Sequence, residues 1–198
     1  MTDPKQDSTP DPTDPLTSLS RKILKIDSQA YGQLVPAGSG NAIARDLLQS
    51  VKPIDLLANP IEHADEAAGL LAGLWLRFDW LDESHQISQS IESPTGSFWH
   101  AIMHRREGDF SNSKYWYARC ASHPSLQTLA AQAPGLIHNL PADKSLLRVI
   151  VTGWNPNAFV DLVEAVHDKP NDPRHAAAVE LQRLEWQVLF DHCARAAT

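Results

Sequence analysis

Two histidines and a glutamate in the middle of the chain have the spacing of metal ligands on one face of a helix. His100, His104 and Glu107 stand at i, i+4 and i+7, which places them within roughly 60° of one another around a helix axis. Imidazoles and a carboxylate in one row suit a divalent ion such as Zn²⁺, Mn²⁺ or Fe²⁺. The row is not an HExxH motif, because Ala101 stands where that motif has its glutamate.

A second polar row precedes the first and could face it. Asp82, His85 and Gln89 stand at i, i+3 and i+7 in a segment whose remaining faces are apolar. Only a short Ser-Pro-Thr-Gly break at 93–96 separates the two rows, so we expect them to lie on neighbouring antiparallel helices. His85 would then join the first row as a further metal ligand, as in metal sites built inside helical bundles.

Charged residues near these rows would supply the rest of the chemistry. Asp82 or Glu83 would act as general base toward a metal-activated water, and Arg105 or Arg106 would neutralise an anionic substrate. The pattern therefore predicts a metal-dependent enzyme, most simply a hydrolase, that acts on a small polar or anionic molecule.

Two interpretations without catalysis fit the same stretch of sequence. In the first, the basic residues Arg105, Arg106, Lys114 and Arg119 and several aromatic side chains frame a pocket for an anionic ligand. The aromatic residues are Trp99, Tyr115, Trp116 and Tyr117. In the second, the polar cluster is a buried network that only specifies helix packing, and the protein is a helical interaction or scaffold protein.

The same stretch carries a longer signature that extends past the histidines. Trp99-His100, His104 to Glu107, Asp109, Asn112 and Lys114 to Trp116 together read WHxxxHRRExDxxNxKYW. This pattern resembles a family of uncharacterised bacterial and fungal proteins that share the signature, and the similarity covers about residues 75–124. The resemblance implies no activity, no cofactor and no role for any residue.

The elements that must position these residues have the apolar spacing of helices. Apolar residues recur every three or four positions over most of the chain, and nothing alternates with period two over a useful length. We predict helices over 64–91, 97–107 and 111–121, the last with Ser111 as its N-cap, and a long C-terminal helix from Pro173. The predicted fold class is therefore all-α, a single-domain bundle of about seven helices.

Shorter helices are predicted between these. Ser125 caps a segment that runs to Ala133, and Asn155-Pro156 has the cap residue followed by proline that starts many helices. Residues 143–152 include a β-branched run, but no partner strand is visible, so we interpret them as helix.

The N-terminal part differs in composition from the rest. Residues 1–18 are rich in Pro, Asp and Thr with almost nothing apolar, which predicts a disordered tail. Residues 19–40 carry a few apolar positions in a Gly- and Pro-broken context, and we expect an arm that docks on the all-α domain at 41–198.

Composition excludes several classes of function. The formal net charge of −7 argues against nonspecific nucleic-acid binding, which needs a basic surface. No apolar run approaches the roughly 20 residues that span a bilayer, and the N-terminus is not a secretory signal. Cys120 and Cys193 form no CxxC pair and suit free thiols in a reducing cytoplasm. We therefore predict a cytoplasmic protein without membrane partners, and the sequence leaves its oligomeric state open.

Overall fold

The computed structural model describes residues 14–137 and 143–198 and gives them an all-α fold. The fold class predicted from the sequence is confirmed. The described residues form eleven helices instead of about seven. Some of the additional helices are short and lie near the N-terminus. Another arises because the segment predicted as one helix over 64–91 forms two helices.

The helices follow one another with short connections. Their bounds are α1 Ser18–Leu24, α2 Ala42–Leu48, α3 Pro53–Leu56, α4 Ala64–Arg77, α5 Leu81–Ser88, α6 Pro94–Glu107, α7 Phe110–Arg119, α8 Ser125–Ile137, α9 Lys144–Ile150, α10 Pro156–Val166 and α11 Pro173–Ala196.

The helix predicted over 64–91 is broken near its middle. Asp79 has a φ of 65°, a left-handed conformation that non-glycine residues rarely adopt and that a helix cannot contain. Its carboxylate pairs with Arg106 at 2.6 Å, a contact with a distant helix that helps to hold the turn. The chain therefore changes direction between α4 and α5, and α5 packs on both α4 and α6.

The helices on either side of Gly108 begin earlier than predicted. Helix α6 starts at Pro94, directly after Ser93, because proline suits the first helical position. Gly108 ends α6 with a φ of 88°, a conformation that glycine adopts without strain. The Asp109 side chain then accepts the Asn112 N–H and caps α7, so the predicted cap at Ser111 is wrong. The result is a tight antiparallel hairpin of α6 and α7.

Other predicted helices agree with the structure to within a few residues. Helix α8 continues past Ala133 through Pro134 to Ile137, and residues 144–150 are helical as predicted. Asn155 and Asp172 both cap the helices that follow them. These helix starts could be predicted because the first N–H groups of a helix lack backbone partners, and a side-chain oxygen at the cap position accepts one of them.

The start of the described chain is docked on the domain. Leu16 pairs with Leu57 through the backbone, and Thr17 caps α1 while its hydroxyl donates to the Asp55 carbonyl. The predicted tail over 1–18 therefore reaches too far, because residues 14–18 make specific contacts. Residues 1–13, for which disorder was predicted, lie outside the described residues.

The core forms where α4, α6 and α11 pack together. Trp99 of α6 contacts Trp186 of α11 with ring centroids 6.5 Å apart, and the Trp186 indole N–H donates to the Gly73 carbonyl of α4 at 2.8 Å. Helix α6 is buried along nearly its whole length. Its polar residues must therefore be satisfied by neighbours inside the domain.

Candidate metal centre

Helices α5 and α6 bring three histidines into one space. One ring nitrogen from each of His85, His100 and His104 lies within 4.8 Å of the other two. The Nε2 atoms of His85 and His100 are 3.0 Å apart. His100 and His104 are buried and His85 is partly exposed. The predicted facing of the two polar rows thus holds for these three residues.

Helix α7 covers the two α6 histidines from the other side. Trp116 stacks on His100 with ring centroids 4.0 Å apart and planes 13° apart. One turn earlier, the Asn112 amide contacts His104. His100 and His104 are four residues apart, and so are Trp116 and Asn112, which is the match that an antiparallel helix pair produces.

The ring of His104 is held by two different contacts. Its Nδ1 lies 3.0 Å from Oε2 of Glu107, so a neutral imidazole donates its Nδ1–H to the carboxylate and keeps the Nε2 lone pair free. Asn112 Nδ2 is 3.0 Å from Nε2 and 3.4 Å from Nδ1. Because the two distances are nearly equal, the amide lies over the face of the ring and does not occupy that lone pair.

The surroundings of the two buried histidines favour their uncharged form. Burial, together with the neighbouring His104 and His85, lowers the pKa of His100 to about 4. Burial also lowers the pKa of His104, and Glu107 offsets only part of that effect. Neutral imidazoles are the form that binds metal ions.

Three of the four predicted ligands meet, and one pair of their nitrogen atoms has a spacing like that of two ligands on one divalent ion. Zinc–nitrogen bonds of about 2.0–2.1 Å in a tetrahedral site put neighbouring nitrogen atoms about 3.3 Å apart. The 3.0 Å between His85 and His100 is close to that value. Nε2 is the nitrogen of His100 that faces His85, whereas Nδ1 is buried without a hydrogen-bond partner among the described residues. Glu107 touches His104 but does not belong to the group of converging atoms.

The two predicted general bases differ in availability. Glu83 pairs with Arg45 at 3.4 Å. Asp82 is exposed and, among the described residues, has neither a hydrogen bond nor an ion pair. It lines a surface cavity of about 460 Å³ and precedes His85 by one helical turn. Of the two, only Asp82 has a free carboxylate.

The structure does not bring Arg105 to the histidines. Arg105 is fully buried and donates to Glu185 at 2.5 Å and to the Tyr117 hydroxyl at 2.6 Å, and Phe159 lies under its guanidinium group. Burial alone would lower the pKa of Arg105, but Glu185 and Tyr117 more than offset it, and the net direction is upward. Arg105 is therefore not available for its predicted role of neutralising a substrate, because its charge is held in a buried ion pair with Glu185.

Arg106 is equally unavailable for a substrate. Its side chain is fully buried, pairs with Asp79 and donates to the backbone carbonyls of Leu76 and Gln33. Tyr31 packs under the guanidinium group at 4.1 Å. Arg106 therefore fastens the N-terminal arm and the end of α4 to the back of α6.

The residues of the predicted anion pocket are scattered. Trp99 and Tyr117 are core residues, whereas Tyr115 is exposed. Lys114 pairs with Asp161 at 2.5 Å, and Arg119 lies over Trp116 at 5.2 Å from the ring centre. Of this set, only Trp116 touches one of the clustered histidines.

Asn112 is the contact that sequence reasoning missed. The available signal was its distance from Trp116 and the shortness of the Gly108-Asp109 turn, which together align α7 with the histidine row. Aligning α7 with the histidine row in this way requires that α7 be predicted to start at residue 110.

No family model, curated protein or solved structure matches this chain. Within 14–137 and 143–198, none of the helices has the length and apolar content needed to cross a bilayer. Functional assignment rests on the geometry of the histidine cluster.

Proposed function

We propose that His85, His100 and His104 bind a divalent metal ion and that the protein is a metal-dependent enzyme, most simply a hydrolase. The observation that carries this proposal is the convergence of three imidazole nitrogens from two helices within 4.8 Å. A divalent ion at such a position acidifies water and polarises a carbonyl or phosphoryl oxygen. A small polar or anionic substrate fits, because three neutral ligands leave the charge of the ion uncompensated.

The ligand set narrows the choice of metal. Imidazole suits Zn²⁺, Cu²⁺, Ni²⁺ and Fe²⁺, whereas Mn²⁺ and Mg²⁺ prefer carboxylate and carbonyl oxygen atoms. Within the part of the chain that the structure describes, no carboxylate joins the converging nitrogens. We therefore expect Zn²⁺ or Fe²⁺ in preference to the Mn²⁺ that the sequence also allowed.

Asp82 takes the role of general base in this proposal. Its carboxylate is exposed, unpaired among the described residues and one turn before His85 on α5. Glu83 is less suited because Arg45 holds its carboxylate. Replacing Asp82 with Asn should lower turnover of any hydrolysed substrate and leave metal affinity unchanged.

The deciding experiment measures metal binding and stability together. Protein stripped with chelator is titrated with Zn²⁺ or Co²⁺, and its unfolding free energy is measured by urea denaturation with and without the metal. At a free metal concentration of 100 times Kd, the wild type should gain about 2.7 kcal/mol. His104→Gln should lose that gain and cost about 1 kcal/mol or less without metal.

The matched control is His63→Gln, an exposed histidine outside the cluster, which should bind metal like the wild type. A loss of 1–3 kcal/mol in His104→Gln that is the same with and without metal would instead indicate a packing network. That result would favour the scaffold interpretation, as would substoichiometric metal in elemental analysis of protein purified without added metal.

A further inference from the structure

Glu107 has a single polar contact among the described residues, and its partner there is His104 of the histidine cluster. Its Oε2 lies 3.0 Å from His104 Nδ1, and the side chain is 51% exposed. Among the described residues it makes no other hydrogen bond and no ion pair with an arginine or lysine. The neighbouring Arg105 and Arg106 point to other partners.

The position of Glu107 on the ring decides what it can do. It occupies Nδ1, so the nitrogen left for a metal is Nε2, on the other side of the imidazole ring. A carboxylate cannot hold Nδ1 and bind an ion at Nε2 of the same ring at the same time. Glu107 is also outside the group of converging nitrogens.

We infer that Glu107 is a positioning residue that fixes the tautomer and orientation of His104, and that the metal has three protein ligands and one position open to an exogenous ligand. The inference rests on the proposed metal site. A carboxylate that accepts the second N–H of a ligand imidazole raises the basicity of that ligand. Three protein ligands with a fourth position left open are typical of catalytic zinc sites, whereas structural sites are closed.

The open position also agrees with what surrounds His104. Asn112 lies over the face of the ring and leaves the Nε2 lone pair free. Within the described residues, no cysteine, aspartate or glutamate approaches the three nitrogens closely enough to be a fourth ligand. With these side chains absent, we assign the fourth position to water or to a small anion.

The first test needs no metal. Nitrogen-15 NMR of the metal-free protein distinguishes an imidazole protonated at Nδ1 from one protonated at Nε2. His104 should be the Nδ1–H tautomer in the wild type and a mixture in Glu107→Ala. A wild-type His104 protonated at Nε2 would overturn the inference whether or not a metal binds.

The second test compares Co²⁺ affinity. Glu107→Ala should weaken Co²⁺ binding by about 10- to 100-fold, the usual effect of removing such a partner. The matched control is Glu180→Ala, which removes an equally exposed carboxylate from an i,i+3 pair with Arg183 and should leave affinity unchanged. Equal affinities for the two variants would overturn the positioning role.

The third test addresses the open position through the visible spectrum of the Co²⁺ protein. Thiocyanate or azide should change the spectrum of the wild type, because an added anion takes the fourth position. Glu107→Gln at saturating Co²⁺ should still respond to the added anion, because the residue is not itself a ligand. A wild-type spectrum insensitive to both anions would overturn the open position.

These outcomes separate the two proposals. Absence of Co²⁺ and Zn²⁺ binding in the wild type would overturn the proposed function together with the open position. Normal binding with no effect of Glu107→Ala would overturn only the role of Glu107.

Discussion

The polar and charged side chains of α6 have different partners, which depend on the face of the helix that they occupy. His100 and His104 meet His85 on one face, whereas Arg105 turns to the other face and finds Glu185 on α11. Both members of the Arg105–Glu185 pair are fully buried. A buried ion pair contributes little net stability compared with apolar residues, but it is costly to break, because a single remaining charge cannot be solvated.

Replacing Glu185 with Ala should therefore destabilise the protein by about 3–5 kcal/mol. Urea denaturation at pH 7 measures the loss. Glu180→Ala on the same helix is the control, and it should cost no more than about 1 kcal/mol because its pair with Arg183 is exposed.

The paired replacement Arg105→Met with Glu185→Leu should recover most of that loss, since no charge is then left buried. A double variant as unstable as Glu185→Ala would mean that shape or the unpaired Tyr117 hydroxyl, and not charge, determines the cost.

At the scale of helices, the sequence predicted the histidine cluster better than the arginines. The i, i+4 spacing and a short connection, predicted at 93–96 and found at 89–93, were sufficient to place His85 opposite His100, because both are local features. The partner of Arg105 is 80 residues away, and local spacing contains no information about it. The break at Asp79 was missed for the same reason, since the distant Arg106 holds it.

The angle between α5 and α6 depends on a close approach at Gly96. A Cβ atom added there would lie 2.2 Å from the Ile91 carbonyl oxygen. This is a backbone atom, and it cannot move without moving the connection between α5 and α6. Gly96→Ala should cost about 1–3 kcal/mol and weaken metal binding by shifting His85 away from His100. Denaturation and Co²⁺ titration measure the two effects.

Gly135→Ala in α8 is the matched control, because no described residue lies within 4 Å of its added Cβ. It should be neutral or stabilising by up to about 1 kcal/mol. Unchanged stability and metal affinity in Gly96→Ala would show that the α5–α6 turn is more adaptable than the close contact implies.

For the molecule as a whole, acid stability depends on His100 and on a second buried histidine, His123, which lies outside the histidine cluster. Burial lowers the pKa of His123 to about 4, and nearby His192 acts in the same direction. The Ser125 N–H donates to His123 Nδ1, while Nε2 faces the Thr95 hydroxyl, which donates to Glu66. A second proton on Nδ1 would therefore meet a donor.

Stability should fall as the pH falls from about 6.5, where the unfolded histidine begins to bind a proton, toward about 4, where the folded one does. Each pKa unit corresponds to about 1.4 kcal/mol, so the loss from His123 approaches about 3 kcal/mol at pH 4. Urea denaturation at several pH values measures it. His123→Gln should reduce the slope in this range and leave the part that His100 contributes, and an unchanged slope would contradict the assignment.

The two buried arginines of α6 also affect which metal ion the proposed site would prefer. Arg105 and Arg106 fasten the helix to α11, α4 and the N-terminal arm through fully buried side chains. His100 and His104 are therefore preorganised, and an arriving ion need not order their helix, which favours affinity. A preorganised pair also adapts poorly, so ions that demand a different arrangement of ligands should bind weakly. Selectivity between metals would then be determined largely by residues that never contact the ion.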